Sequence, residues 1–196
     1  SLTALLRNWA IVYASNFVGA VLTAGLVFVT GHYTAGQGSV GLNILAIGEA
    51  KTALAFVPAL AMGILCNTLV CMAVWLCFSA RTTTDKIMAI MMPIAAFVAA
   101  SFEHSIANMY FIPLALFVKD GAPSAFWELI QKTPADYPHL TWANFGANLV
   151  PVTIGNIIGG AVMVGLVYWL IYLSAKHRSD STVPSASAAP AIVEKG

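Results

Sequence analysis

Long uncharged runs broken by short polar punctuation dominate the chain. A transmembrane helix needs roughly 20 predominantly apolar residues. Segment A, Trp9 to Val29, meets that length, and segment B runs uncharged from about Thr52 to Phe78. Between them, Gly31 to Glu49 is glycine-rich and mixed, and reads as a loop with no room for a further span. After the polar turn Ala80-Arg81-Thr82-Thr83-Thr84-Asp85-Lys86, segment C runs from Ile87 to Val118, too long for one straight span by roughly 10 residues. Lys119 to Thr141 is a polar loop punctuated by Pro123, Pro134 and Pro138, with a short surface helix expected over Ser124 to Gln131. Segment D closes the series from about Phe145 to Leu173. Ser179 to Gly196 carries Ser, Ala and Pro with little to bury, so residues 177–196 are expected to form a disordered tail behind a membrane region over 1–176.

Composition sharpens the pattern. Of 196 residues, 59% are hydrophobic and only 9% charged, against about 25% charged in a soluble domain. So few charges cannot cover a globular surface, and lipid must replace water over much of it. A net charge of +1 gives no basic patch with which to displace counterions from phosphates, which argues against nucleic acid. Cys66, Cys71 and Cys77 share segment B, where a single rigid helix cannot bring them close enough to pair, and they suggest no metal site.

Lysine and arginine counts in the flanks suggest an orientation. Four spans put both termini on one side, with Arg7, Arg81, Lys86, Lys176 and Arg178; Lys51, Lys119 and Lys132 lie opposite. The first set is expected to be cytoplasmic, and the tail with it. Segment A contains Asn16-Phe-Val-Gly19-Ala-Val-Leu22 and segment D contains Asn156-Ile-Ile-Gly159-Gly-Ala-Val162. A shared pattern on oppositely directed helices suggests an inverted repeat, in which A and D each end one half. Segments B, C and D then make one half, and two helices are expected ahead of A. Gly155-x-x-x-Gly159 permits close helix approach and reads as packing within the protein.

The chemistry lies in the middle of segment C, where Glu103 and His104 are the only ionisable pair well inside an apolar run. A charge at bilayer depth costs at least about 2.5–3.5 kcal/mol, so it is kept only if paired or facing a cavity. The excess length of C accommodates this through a break at Ser101 to Ser105 between two half-helices. Broken helices persist in membranes only when buried in protein or lining a cavity. The second half then starts near Ser105 with free N–H groups and a positive dipole end, which favours an anion. His104 beside it can donate a hydrogen bond or a proton to such an anion. The alternative is that Glu103 and His104 bond backbone groups exposed by the break and hold it together. That structural role suits Glu103 better, and the transport role suits His104. Asn67 in segment B must find a partner in apolar surroundings; His104 and a plain helix–helix bond are both open to it. Phe97 and Val70 either narrow a path or pack ordinarily.

Ser101-Phe-Glu-His-Ser-Ile-Ala-Asn-Met-Tyr-Phe-Ile-Pro113, Asn148-Leu-Val-Pro-Val-Thr-Ile-Gly-Asn-Ile-Ile-Gly159 and Gly63-Ile-Leu-Cys-Asn67-Thr-Leu-Val-Cys-Met-Ala-Val-Trp75 resemble the formate/nitrite transporter family. The formate-channel branch is the nearest, and the resemblance runs from about Arg7 to Ser174. It implies an all-α, aquaporin-like protomer of six helices in a homopentamer, of which this chain carries about four spans including one broken helix. It implies that His104 and Asn67 form a hydrogen-bonded pair facing the pore, and that Phe97 and Val70 line constrictions. Asn156 would line the path, while Glu103 and Lys51 would shape its electrostatics. The family's first helix, first broken helix and gate loop are expected ahead of Ser1.

Formate in a multi-pass protein of the bacterial cytoplasmic (inner) membrane is the permeant this implies, with no cofactor and no enzymatic step. Nitrite, hydrosulfide or another small monovalent anion is the alternative through the same fold. A membrane-anchoring or haem-bearing enzyme subunit is a remote alternative, since His32, His139 and His177 all lie outside the spans and leave His104 without a partner for bis-histidine ligation.

Overall fold

The computed structural model describes residues 2–173; the expected tail over 177–196 lies outside them. Seven α-helices make up the described fold: α1 (Leu2–Val29), α2 (Ser39–Thr52), α3 (Phe56–Cys77), α4 (Thr83–Ala99), α5 (Ser105–Gly121), α6 (Ser124–Ile130) and α7 (Trp142–Ile157). Past Ile157 the last helix widens into π turns over Ile158–Leu166 and again over Trp169–Leu173. Three helical stretches, Leu2–Val29, Phe56–Cys77 and Trp142–Leu173, are long and apolar enough to cross a membrane. Segment C divides, as its excess length requires, into α4 and α5, each too short to span alone. The protein is an all-helical integral membrane fold.

The segment from Gly31 to Glu49 departs from the expected loop. It opens with a 3₁₀ turn at His32–Thr34 and continues as α2. Its glycines have two jobs that sequence does not separate. Gly31, Gly36 and Gly38 take positive φ angles of 71°, 59° and 81° and make the turns. Gly41 and Gly48 instead sit inside the helix because neighbours leave no room: a Cβ on Gly41 would lie 2.8 Å from the Tyr33 carbonyl, and one on Gly48 would run into Ala115. The first contact sets α2 against the 3₁₀ turn, and the second seats it on the second half of α5. Leu45, Ile112, Leu116, Phe126 and Leu140 fill the core there.

The connection after α6 is strapped down by two charges. Lys119 Nζ donates to the carbonyls of Tyr137 (2.7 Å) and Leu140 (2.8 Å), while the Glu49 carboxylate accepts from the N–H groups of His139 (3.1 Å) and Leu140 (2.8 Å). Elsewhere, α3 and α7 meet backbone to backbone. A Cβ on Gly63 would lie 2.9 Å from the Val152 carbonyl, and side chains on Gly155 and Gly159 would strike the α3 backbone at Leu60 and Ile64. Close approach of this kind replaces the hydrophobic drive that lipid removes, and it bears out the packing role expected of Gly155-x-x-x-Gly159. α1 lies along α5 and is tied to α7 by Tyr13 Oη and Thr153 Oγ1 at 2.8 Å and by the stacked rings of Phe17 and Phe145. Its remaining surface is open, with Ala24 its one buried residue.

In the polar turn before α4, Thr82 and Asp85 form a reciprocal capping box. The Thr82 hydrogen bonds hold the Asp85 carboxyl below the usual carboxylate range. Its contribution is therefore present above the ordinary carboxylate pKa and is lost as pH falls through the lowered value. Acidification below about pH 4 is expected to fray the first turn of α4 alone, read as loss of helical carbon shifts at residues 83–85.

Candidate functional site

The break between α4 and α5 is built by local backbone chemistry and then held from a distance. α4 ends with Ser101 in the left-handed region, φ 55°, and the Phe102 N–H returns to the Phe97 carbonyl at 3.1 Å. That is the Schellman arrangement, normally given to glycine. The chain then runs extended to His104, which caps α5: its Nδ1 accepts the Ala107 N–H at 3.3 Å. A neutral ring that accepts at Nδ1 carries its proton on Nε2, and that donor meets no partner among the described residues. The His104 ring lies 6.2 Å from that of Phe97, centroid to centroid. Sequence reasoning placed this break and its histidine, with each boundary within one residue of the observed one.

Asn156 fastens the break to α7. Its Oδ1 accepts the Ser105 N–H at 2.9 Å, and its Nδ2 donates to the carbonyls of Glu103 (3.0 Å) and Gly63 (2.9 Å). One side chain thus joins the start of α5, the extended backbone and α3. The expectation that Asn156 lines the path is only part of its geometry: it edges a cleft of about 690 Å³ between α1, α3, α5 and α7, but its amide is turned to the backbone. Asn67 and Ser105 edge the same cleft. Asn67 does not bond His104, as the resemblance implied. Its Nδ2 donates to the Asn156 carbonyl at 2.5 Å, one of the helix–helix bonds left open from sequence. Val70 is half-buried on α3, one turn beyond Asn67.

Glu103 is buried, 2% exposed, and both its oxygens are engaged. Oε1 pairs with Lys51 Nζ at 2.7 Å, and Oε2 accepts from Asn108 Nδ2 at 2.6 Å. Asn108 Nδ2 also donates to Asn148 Oδ1 (2.8 Å), and Asn148 Nδ2 donates to the Lys51 carbonyl (2.9 Å). The circuit closes on Lys51, which enters it by its ammonium and leaves it by its backbone. Sequence reasoning named Lys51 and Glu103 but missed Asn108 and Asn148. The available signal was the same one that exposed Asn67: an amide inside an apolar run needs a partner.

A membrane fold with a discontinuous helix, a paired charge beside the break and a polar helix start edging a cleft is a broken-helix architecture, of the kind on which membrane transporters are built. Within that class, the chain belongs to the formate/nitrite transporter family, whose family model, described as formate/nitrite transporter, matches residues 1–170. It is 46% identical over 170 residues to the formate channel FocA of Escherichia coli strain K12, covering 86% of this chain and 60% of that one. It is 41% identical over 176 residues to the formate channel FocA of Haemophilus influenzae, covering 89% and 61%. A solved structure described as a pentameric formate channel with formate bound superimposes with a TM-score of 0.83 at 46% identity, covering 87% of this chain and 67% of that one. The chain spans about 60% of the length of the curated relatives it matches.

Proposed function

We propose that the protein conducts formate across the bacterial cytoplasmic membrane as part of a homopentamer, with pH-dependent passage past His104. No chemical reaction is assigned to it, and its C-terminal tail is read as cytoplasmic. The observation that carries this reading is the imidazole at the start of α5, fixed by its Nδ1 bond to Ala107 and left with a free Nε2. That atom is a hydrogen-bond donor beside a helix start, where an anion is favoured. Support for the permeant and the assembly comes from the relatives, named formate channels, and from a solved neighbour described as pentameric with formate bound. Phe97, beside the ring, supplies a dry wall that would exclude hydrated cations.

Protonation links the site to pH. A doubly protonated ring has no acceptor left at Nδ1, so it must release the Ala107 N–H. The membrane potential opposes entry of a bare anion by about 2.3 kcal/mol per 100 mV, and a shared proton removes that opposition. Formate flux into proteoliposomes is therefore expected to rise from pH 8 towards pH 5, a range that brackets histidine titration. In His104→Ala the acid-stimulated part should disappear. Uptake with an unchanged pH profile in that variant would make His104 structural. Nitrite added as competitor tests the choice of permeant: uptake that nitrite suppresses more strongly than unlabelled formate does would move the reading to nitrite.

A further inference from the structure

Amide side chains are ambiguous about which end donates, and the direction is settled only by partners that cannot turn over. The circuit around Glu103 contains one such partner at each end. The Lys51 carbonyl can only accept, so Asn148 must point Nδ2 towards it, at 2.9 Å. Asn148 then presents Oδ1 to Asn108, which must answer with Nδ2, at 2.8 Å. The second hydrogen on that nitrogen goes to Glu103 Oε2 at 2.6 Å. At the other end the Lys51 ammonium, which can only donate, takes Oε1 at 2.7 Å. Every step has one permitted polarity.

Asn108 shows that its orientation is imposed. It is fully buried, and its Oδ1 is the single buried side-chain oxygen or nitrogen among the described residues without a hydrogen-bond partner. An unmatched buried acceptor costs about 1–3 kcal/mol. The amide keeps this arrangement because turning over would set its oxygen against Asn148 Oδ1 and Glu103 Oε2 together.

We propose that Asn148, on α7, is a positioning residue for permeation: it locks the direction of the Asn108 amide and so keeps Glu103 a two-oxygen acceptor on which the Lys51 ammonium is held. The proposal rests on the reading of the break as part of the permeation path. Asn148 touches neither His104 nor the cleft; it acts through Asn108. It also caps the end of α2 by taking the Lys51 carbonyl, which ties the backbone of Lys51 to the polarity of its own ion pair. The ionisable groups that face this circuit are Lys51 on α2, Glu103 and His104 in the break, and Cys66 on α3. α7 brings none, so its influence is by hydrogen-bond direction.

A double-mutant cycle in the full-length protein tests this. Asn148→Leu, close in shape but unable to bond, is expected to lower formate flux about tenfold, the scale of a hydrogen bond to a charged group. In an Asn108→Ala background the same substitution should change flux by no more than about twofold, because the intermediary is gone. An equal tenfold drop in both backgrounds, or no drop in either, overturns the proposal. The same cycle read from the detergent Tm needs no permeant, so a wild type that conducts no formate sinks the functional reading without touching the circuit. If Asn148→Leu does not fold, Asn148→Asp takes its place. It keeps the acceptor but donates to the Lys51 carbonyl only when protonated, so its flux relative to wild type should recover below about pH 5. A ratio that stays depressed below about pH 5, where the protonated carboxyl restores both bonds, would overturn the proposal.

Discussion

Replacing Glu103 with alanine is expected to cost about 3–5 kcal/mol and to leave little correctly assembled protein. The substitution strands the Lys51 ammonium, whose side chain is 16% exposed, beside an amide that has lost its acceptor. Breaking one side of a buried pair is far worse than removing both, since an uncompensated charge remains. Lys51→Met in the Glu103→Leu background should therefore recover much of the Tm lost by Glu103→Ala, while formate flux stays low. Recovery of stability separates the ion pair's folding role from its electrostatic one. If Glu103→Ala matched wild type in Tm and yield, the pair would be a surface-grade contact and the reading of this site would fall.

Asn156→Leu should be as damaging, for a different reason. It keeps the volume and removes three hydrogen bonds at once, leaving the Ser105 N–H and the Glu103 carbonyl buried without partners and the Gly63 carbonyl with its α3 bond alone. At about 1–3 kcal/mol for each orphaned group the sum reaches several kcal/mol, and even partial relaxation leaves a large loss. Asn156→Asp keeps the acceptor for Ser105 but opposes two carbonyls, so it should rescue little. The Tm in detergent and the fraction of assembled oligomer measure both. A leucine variant with wild-type stability would mean that the break holds its shape without α7.

The apolar spans, the break and its two ionisable residues were legible because apolar length and stray charge are one-dimensional signals. Segment C was too long, and it does divide at residues 100–104. α2 was not legible. Its glycines resemble the turn glycines beside them, and only the neighbours Tyr33 and Ala115 reveal that Gly41 and Gly48 serve contact. The amide partners were illegible for a related reason. Asn67 reaches a backbone carbonyl, and Asn156 reaches two, and a carbonyl leaves no trace in residue identity. Asn108 and Asn148 lie 40 positions apart, so nothing local joins them. What the sequence did hold was the internal echo of Asn16 and Asn156. In α7 that asparagine fastens a broken helix, while in α1 the Asn16 amide bonds only its own helix, at the Val12 carbonyl, among the bonds described.

The position of Asn156 has a consequence for how such proteins can diversify. The residue that fixes the shape of the break lies on another helix, 51 positions from the backbone N–H it holds, and it grips main-chain atoms common to every amino acid but proline. Shape and chemistry are thereby inherited separately. A substitution at residue 104 removes the Nδ1 cap on Ala107 and leaves Asn156's grip on the backbone intact. On the proposed reading of the break as part of a permeation path, the fold is a socket whose fitting can be exchanged one substitution at a time.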